Sequence, residues 1–227
     1  MPFMKLIKTN CGEQERDFVM YKVNDIFTSL QGEGHNTGRA ATFVRFAGCN
    51  LRCPFCDTDF SDYSEMSAED IVTRVLQYPT RLVVLTGGEP SLQVDDTLVA
   101  ALHKAGFCIA VETNGTRLLP EGIDWVTVSP KQPVTSTLPQ IESGRVDEIK
   151  VVFDGTDLSI VHSVEALPLY TPNTPPLGEV VRGFLLQPCD TGDPQRNAEI
   201  TRKCIEYIIE HPFWQLSLQT HKLANFK

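Results

Sequence analysis

Short unbroken apolar runs punctuate this chain, and Leu82-Val83-Val84-Leu85 is the plainest of them. Successive side chains of a strand point to opposite faces, so a strand apolar at every position must be covered on both sides. Such strands suit a parallel sheet flanked by helices. Strands are expected at Tyr21–Ser29, Thr42–Ala47, Leu82–Thr86, Phe107–Glu112, Trp125–Ser129, Glu148–Phe153, Gly183–Gln187 and Trp214–Leu218. Helical patterns fill several gaps. Ser67-Ala-Glu-Asp70 reads as a capping-box start for a helix to about Gln77. Asp95–Ala105 has helical spacing and a Gly106 stop, Leu158–Ala166 is a weaker helix, and Asn197–Glu210 places Ile200, Cys204, Ile205 and Ile208 on one side. Residues 114–124 are too short for a crossover helix, residues 131–145 look irregular, and residues 170–178 hold three prolines. The expected class is α/β: an incomplete parallel β/α barrel, TIM-like, or an open sheet, with helices reduced in the second half.

The chain has 227 residues, enough for one generous domain, and shows no repeat or linker. Residues 1–20 read as an N-terminal arm and residues 21–227 as a single domain. With 41% apolar and 22% charged residues, a disordered, collagen-like or coiled-coil chain is excluded. The formal net charge of −9 argues against a nucleic-acid-binding surface. No apolar run approaches the roughly 18 residues that span a bilayer, so no membrane partner is expected. The N-terminal stretch turns polar too early for a signal peptide, and a soluble cytoplasmic protein is expected.

Seven cysteines and no export signal argue against a disulfide framework. Cys108 and Cys204 read as small core residues. Cys49, Cys53 and Cys56 instead crowd one loop at C-x3-C-x2-C spacing. Three thiolates on so short a loop suit a metal centre. A structural zinc site wants a fourth ligand, which no nearby second C-x-x-C or His pair supplies. A [4Fe–4S] cube held by three cysteines leaves one iron without a protein ligand, open to a small chelating molecule. Zinc and chance crowding are the alternatives.

In an α/β fold of this kind, chemistry collects at the C-terminal ends of strands. The cysteine loop follows the second expected strand, and Gly87-Gly88-Glu89-Pro90 ends the third. Together they resemble the radical S-adenosylmethionine superfamily. That resemblance implies a partial barrel of the radical SAM type. The open iron would chelate S-adenosylmethionine, and reduction would cleave it to a 5′-deoxyadenosyl radical that abstracts a substrate hydrogen. A reducing, flavodoxin-like electron donor is implied. Gly88 would let the backbone approach the methionyl amine.

Further segments narrow the resemblance: Leu30-Gln31-Gly32-Glu33-Gly34, Cys56-Asp57-Thr58, Arg45, Ser129-Pro130-Lys131, Gln187-Pro188 and Gln219-Thr220-His221-Lys222. From about Tyr21 onward the chain resembles the 7-carboxy-7-deazaguanine synthase family. The resemblance implies conversion of 6-carboxy-5,6,7,8-tetrahydropterin to 7-carboxy-7-deazaguanine with loss of ammonia, in queuosine-type deazapurine biosynthesis. S-adenosylmethionine would be regenerated, Mg2+ required, and a homodimer formed. Cys49, Cys53 and Cys56 would hold the cluster, and Thr58 would ligate Mg2+. Leu30, Gln31, Gly32, Glu33, Arg45, Thr86, His221 and Lys227 would bind substrate, with Arg45 paired to its carboxylate. Phe55, Cys56, Asp57, Gly88, Ser129, Pro130, Lys131, Gln187, Pro188, Cys189 and Asp190 would surround S-adenosylmethionine. No side chain is assigned as catalytic, since the radical would come from the cofactor. The ending Leu223-Ala224-Asn225-Phe226-Lys227 departs from the glycine-containing tail expected of the family. A glycyl-radical activase shares the cysteine loop and the Gly-Gly turn, but has no need of the Leu30–Gly34 segment with Arg45.

Overall fold

The computed structural model describes residues 19–54, 56, 62–134, 139–167 and 183–227. Among them, nine strands form one sheet: β1 (Met20–Leu30), β2 (Ala40–Phe46), β3 (Ser64–Ser67), β4 (Leu82–Gly87), β5 (Cys108–Thr113), β6 (Trp125–Val128), β7 (Glu148–Phe153), β8 (Gly183–Pro188) and β9 (Gln215–Leu216). The strand order is β3-β1-β2-β4-β5-β6-β7-β8-β9, so β3 and β9 are free edges and the barrel is open. Neighbours from β2 to β9 are all parallel. β1 is antiparallel to β2, and β3 to β1. Antiparallel neighbours need only a short connection, whereas a parallel pair needs a crossover. The tight return between β1 and β2, closed by Gln31 N to Arg39 O at 2.8 Å and Gly38 N to Gln31 O at 2.8 Å, therefore dictates the one hairpin the parallel expectation missed.

The helices are α1 (Ala68–Val75), α2 (Asp96–Lys104), α3 (Pro139–Glu142), α4 (Ser159–Glu165), α5 (Pro194–Glu210) and α6 (Thr220–Ala224). The capping box at α1 is present: Asp70 N donates to Ser67 Oγ at 3.1 Å, and Ser67 N donates to Asp70 Oδ2 at 3.0 Å. No helix joins β5 to β6, as the short gap implied. The main core lies between the convex face of the sheet and the helices. Val44, Phe46, Val83, Leu85, Ile109, Val111, Ile149, Val151, Phe184 and Leu186 meet Ile71, Leu98, Leu102, Val161, Ile200 and Cys204 there. Their alternation along each strand leaves every second residue for the concave face.

Several expectations are corrected. Cys108 is exposed, because it opens β5 at the rim of the sheet. Ile205 is 42% exposed, since the buried stripe of α5 is carried by Ile200 and Cys204. α5 also begins earlier, at Pro194, because Asp193 caps it by accepting from Gln195 N and Arg196 N. α1 stops at Val75, and the last strand shortens to Gln215–Leu216. β3, α3 and α6 are short additions that carry too little periodicity to be read. Among the described residues, no helix is long and apolar enough to cross a membrane.

Candidate active site

The concave face has an apolar floor and a charged upper tier. Cross-strand register aligns Phe27, Phe43, Val84, Ala110 and Trp125. Phe27 and Phe43 stack with ring centres 5.1 Å apart. Two residues further along β2, Arg45 lies opposite Asp25 and beside Thr86. The Arg45 guanidinium sits 4.9 Å from the centre of the Phe27 ring. An arginine on this inner face therefore rests on an aromatic platform with its head towards the cavity, rather than on the outer surface. The cavity above it has a volume of about 300 Å³, within the range of small-molecule sites.

Three charged side chains from distant parts of the sequence meet in this cavity. Lys150 Nζ on β7 donates to Glu33 Oε2 at 2.6 Å and to Glu112 Oε2 on β5 at 2.8 Å. The lysine side chain is only 4% exposed. Taking an ammonium out of water costs several kcal/mol unless charge and hydrogen bonds offset it. Both carboxylates do so here, and although burial opposes its charge, the anions of Glu112 and Glu33 keep Lys150 protonated well past the usual range. Burial also pushes Glu33 up, but the Lys150 ammonium outweighs it and holds the carboxyl at about 2. Burial dominates at Glu112, which is raised to about 7. The remaining oxygens are also held: Gln219 Nε2 donates to Glu33 Oε1 at 2.8 Å, and Gln31 Nε2 to Glu112 Oε1 at 3.2 Å.

The C-terminal segment closes one wall. Thr220 N donates to Gly32 O at 2.9 Å, which ties α6 to the loop after β1. A Cβ on Gly32 would lie 2.2 Å from His221 Nδ1, so the glycine leaves the space the imidazole fills. Lys222 pairs with Asp190 at 3.0 Å. Lys227 Nζ reaches Asp25 Oδ2 at 2.6 Å and lies 4.3 Å from the centre of the Phe27 ring, on the Arg45 side of the cavity.

The cysteine loop caps the opposite side. Cys49, Cys53 and Cys56 all line the cavity. Burial pushes the Cys53 thiol up, and Lys131, Cys56 and Cys49 are near enough to act on its charge. Lys131 Nζ donates to Ser129 Oγ at 2.7 Å, and burial, followed by Lys150, lowers its affinity for a proton. The Gly-Gly turn after β4 packs against the chain just before Cys49. Gly88 N donates to Phe46 O at 2.8 Å and Glu89 N to Gly48 O at 2.9 Å. Gly87 adopts φ +101°, and a Cβ on Gly88 would lie 1.9 Å from Gly48 O. Glu89 is 1% exposed and accepts from Ser91 N, Thr113 Oγ1 and Asn114 N, so it locks the turn to the end of β5.

Residues 43–153 match the model of the Radical SAM superfamily. A 7-carboxy-7-deazaguanine synthase from Bacteroides thetaiotaomicron is 47% identical over 92% of this chain and 100% of its own length. The chain belongs to the 7-carboxy-7-deazaguanine synthase family. A second member, from Caulobacter vibrioides, is 42% identical over 89% of this chain and 97% of its own. The crystal structure of QueE from Escherichia coli superposes with a TM-score of 0.70 at 30% identity, covering 88% of this chain and 93% of that one.

Membership implies a [4Fe–4S] cluster and S-adenosylmethionine, and the residues present fit both. A cube takes one thiolate per iron, so its cysteines flank a body rather than meet at a point. Three cysteines that line one cavity suit that. The Gly87-Gly88 turn lines the same cavity and packs its backbone against Gly48, directly before the first cysteine.

Of the expected site residues, Leu30, Gln31, Gly32, Glu33, Arg45, Thr86, His221 and Lys227 all line this cavity. So do Gly88, Ser129, Lys131, Pro188, Cys189 and Asp190. Pro130 and Gln187 do not. Gln187 is buried, accepts from Ser217 Oγ at its Oε1 at 2.8 Å and hydrogen-bonds Glu33. Phe55, Asp57 and Thr58 lie outside the described residues. Glu112 and Lys150 were missed, and Gln219 was named in its segment without a role. A charged residue inside an apolar strand was the available signal: Val111-Glu112 and Ile149-Lys150-Val151 carry it as plainly as Arg45 does.

Proposed function

We propose that this cavity converts 6-carboxy-5,6,7,8-tetrahydropterin to 7-carboxy-7-deazaguanine with release of ammonia. The observation that carries the reading is the polarity of the two walls. Arg45 stands at one end, suited to a carboxylate. Glu112, two strands along the sheet on β5, and Glu33, joined to it through Lys150, are suited to the N–H donors of an aminopyrimidine ring. Phe27 and Phe43 supply an apolar surface between them. A protein substrate, as a glycyl-radical activase requires, has no use for this closed arrangement.

When bound at Cys49, Cys53 and Cys56, the reduced cluster with S-adenosylmethionine supplies the carbon radical that abstracts a hydrogen atom from the substrate. The chain's own residues position and protect. Gly88 offers main-chain groups at close range, Ser129 and Lys131 present a hydroxyl and an ammonium beside the cysteine loop, and Asp190 presents a carboxylate from the end of β8. Burial on the concave face excludes water and other quenchers. His221 and Lys227 close the substrate side, where the C-terminal segment packs on Gly32.

Mg2+ at the substrate carboxylate, with Thr58 among its ligands, belongs to the same proposal. So do a reducing flavodoxin-like donor, a homodimer, cytoplasmic localisation and the division into an arm at residues 1–20 and one domain at 21–227. These rest on the family resemblance and, for localisation, on composition. The test is anaerobic reconstitution with dithionite, S-adenosylmethionine, Mg2+ and the carboxylated pterin. Mass spectrometry should find the deazaguanine product, and tetrahydropterin lacking the carboxylate should give none. Equal processing of the ring without its carboxylate would refute the Arg45 end of the reading.

A further inference from the structure

Lys150 binds two other charged residues of the cavity at once. It lies on β7, and Glu112 lies on β5, on the far side of the short β6. Its neighbours Ile149 and Val151 face the opposite way, into the convex core, so its backbone is fixed by packing. Glu33 arrives from the loop after β1. Each carboxylate is thus held at one oxygen by the same ammonium and at the other by a side-chain amide, from Gln219 or Gln31.

A buried ion triad of this kind is a poor way to add stability, because well-packed apolar residues do as well. Its location points to another role. Both carboxylates line the cavity. Glu148 adds a further negative charge near Glu112, and Lys131, whose hold on a proton burial weakens, is a second cation near both. Without the Lys150 ammonium between them they would repel one another more strongly. One would take up a proton and turn from acceptor into donor. A ring edge made of N–H donors needs acceptors in fixed places.

We propose that Lys150 is a positioning residue that holds the Glu33 and Glu112 carboxylates as one accepting edge for the N–H donors of the substrate ring. This rests on the ring substrate proposed above. The lysine acts through the carboxylates and touches no reacting atom.

The test compares wild type, Lys150→Met and Lys150→Arg as reconstituted full-length enzyme, with iron content and circular dichroism as checks on folding. Lys150→Met should raise KM for the carboxylated pterin about 10- to 100-fold, the effect of losing hydrogen bonds to a charged group. The acid limb of its kcat/KM profile should move up by about one pH unit or more, since the uncompensated carboxylate pair binds a proton more tightly. Lys150→Arg keeps the charge and should leave that limb near its wild-type position. A merely structural lysine would lower stability and leave the limb where it was. Infrared difference spectra need no substrate: at pH 7.5, about half a unit above the raised Glu112 value, a protonated-carboxyl band should grow in Lys150→Met and vanish when Glu112→Gln is added. An unmoved limb, or no gain in that band, in a folded Lys150→Met enzyme overturns the proposal. If the single variant fails to fold, the double variant, which removes one carboxylate with the ammonium, is read instead, and a wild-type KM there overturns it. If wild type does not process the pterin at all, the reaction assignment fails, and the infrared comparison still decides the role of Lys150.

Discussion

Replacing Gly88 with alanine tests how the Gly-Gly turn and the cysteine loop depend on each other. The added methyl would lie 1.9 Å from Gly48 O. An ordinary carbon-to-oxygen contact is about 3.3 Å or more, so one of the two loops must move by over an ångström. The atom in the way is backbone, which cannot rotate aside as a side chain can. The shift would strain or break the hydrogen bonds from Gly88 N to Phe46 O and from Glu89 N to Gly48 O, at 2.8 and 2.9 Å. Overpacking of this kind costs about 1–3 kcal/mol, and each lost hydrogen bond adds about 0.5–1.5 kcal/mol. Gly88→Ala should therefore lose about 2–6 kcal/mol of stability, read as a lower urea midpoint with the slope unchanged. Because Gly48 immediately precedes Cys49, binding of S-adenosylmethionine to the reconstituted protein should fall with it. A variant with the wild-type midpoint and wild-type S-adenosylmethionine affinity would refute the coupling.

The other expectations concern the rest of the cavity. Arg45→Ala should raise KM for the carboxylated pterin by the equivalent of about 2–4 kcal/mol if its partner charge is desolvated; an unchanged KM removes it from the carboxylate site. Cys53→Ala should prevent cluster assembly, so a variant that retains full iron and sulfide after reconstitution contradicts the ligand assignment. The carboxylate pair should also shape stability against pH. Burial raises Glu112 from 4.5 to about 7, so its contribution is full below 4.5 and is lost as pH rises through 7. At Glu33 burial raises but Lys150 prevails, lowering it from 4.5 to about 2, so its contribution is present above 4.5 and is lost as pH falls towards 2. Glu112→Gln should accordingly remove about 1–3 kcal/mol of the decline between pH 4.5 and 7, and urea midpoints that decline as steeply as wild type's would contradict this.

What the sequence made legible follows from how each signal is encoded. The buried strands announce themselves through continuous apolar runs, and the start of α1 through Ser67 and Asp70, because both patterns are local. The Cys49–Cys56 loop and the Gly87-Gly88 turn are local too. Glu112 and Lys150 are separated by 38 positions and meet only because β5 and β7 flank β6 in the sheet. Read singly, each is one charge in an apolar strand. The antiparallel β1 is hidden for a related reason: strand direction is set by the connection, and Leu30-Gln31-Gly32-Glu33-Gly34, which opens the hairpin return, draws attention as a chemical motif instead. Cys108 has apolar neighbours and so reads as a core residue, but as the first residue of β5 it falls at the rim, outside the layer they bury.

The most direct measurement of the central claim is the stoichiometry of turnover. The reconstituted enzyme is given 6-carboxytetrahydropterin, S-adenosylmethionine, Mg2+ and dithionite, and 7-carboxy-7-deazaguanine and 5′-deoxyadenosine are counted together. A cavity that holds ring and cofactor as described, with the cofactor regenerated, should give product well in excess of 5′-deoxyadenosine. Accumulation of 5′-deoxyadenosine with no deazaguanine would keep the radical chemistry and contradict the substrate.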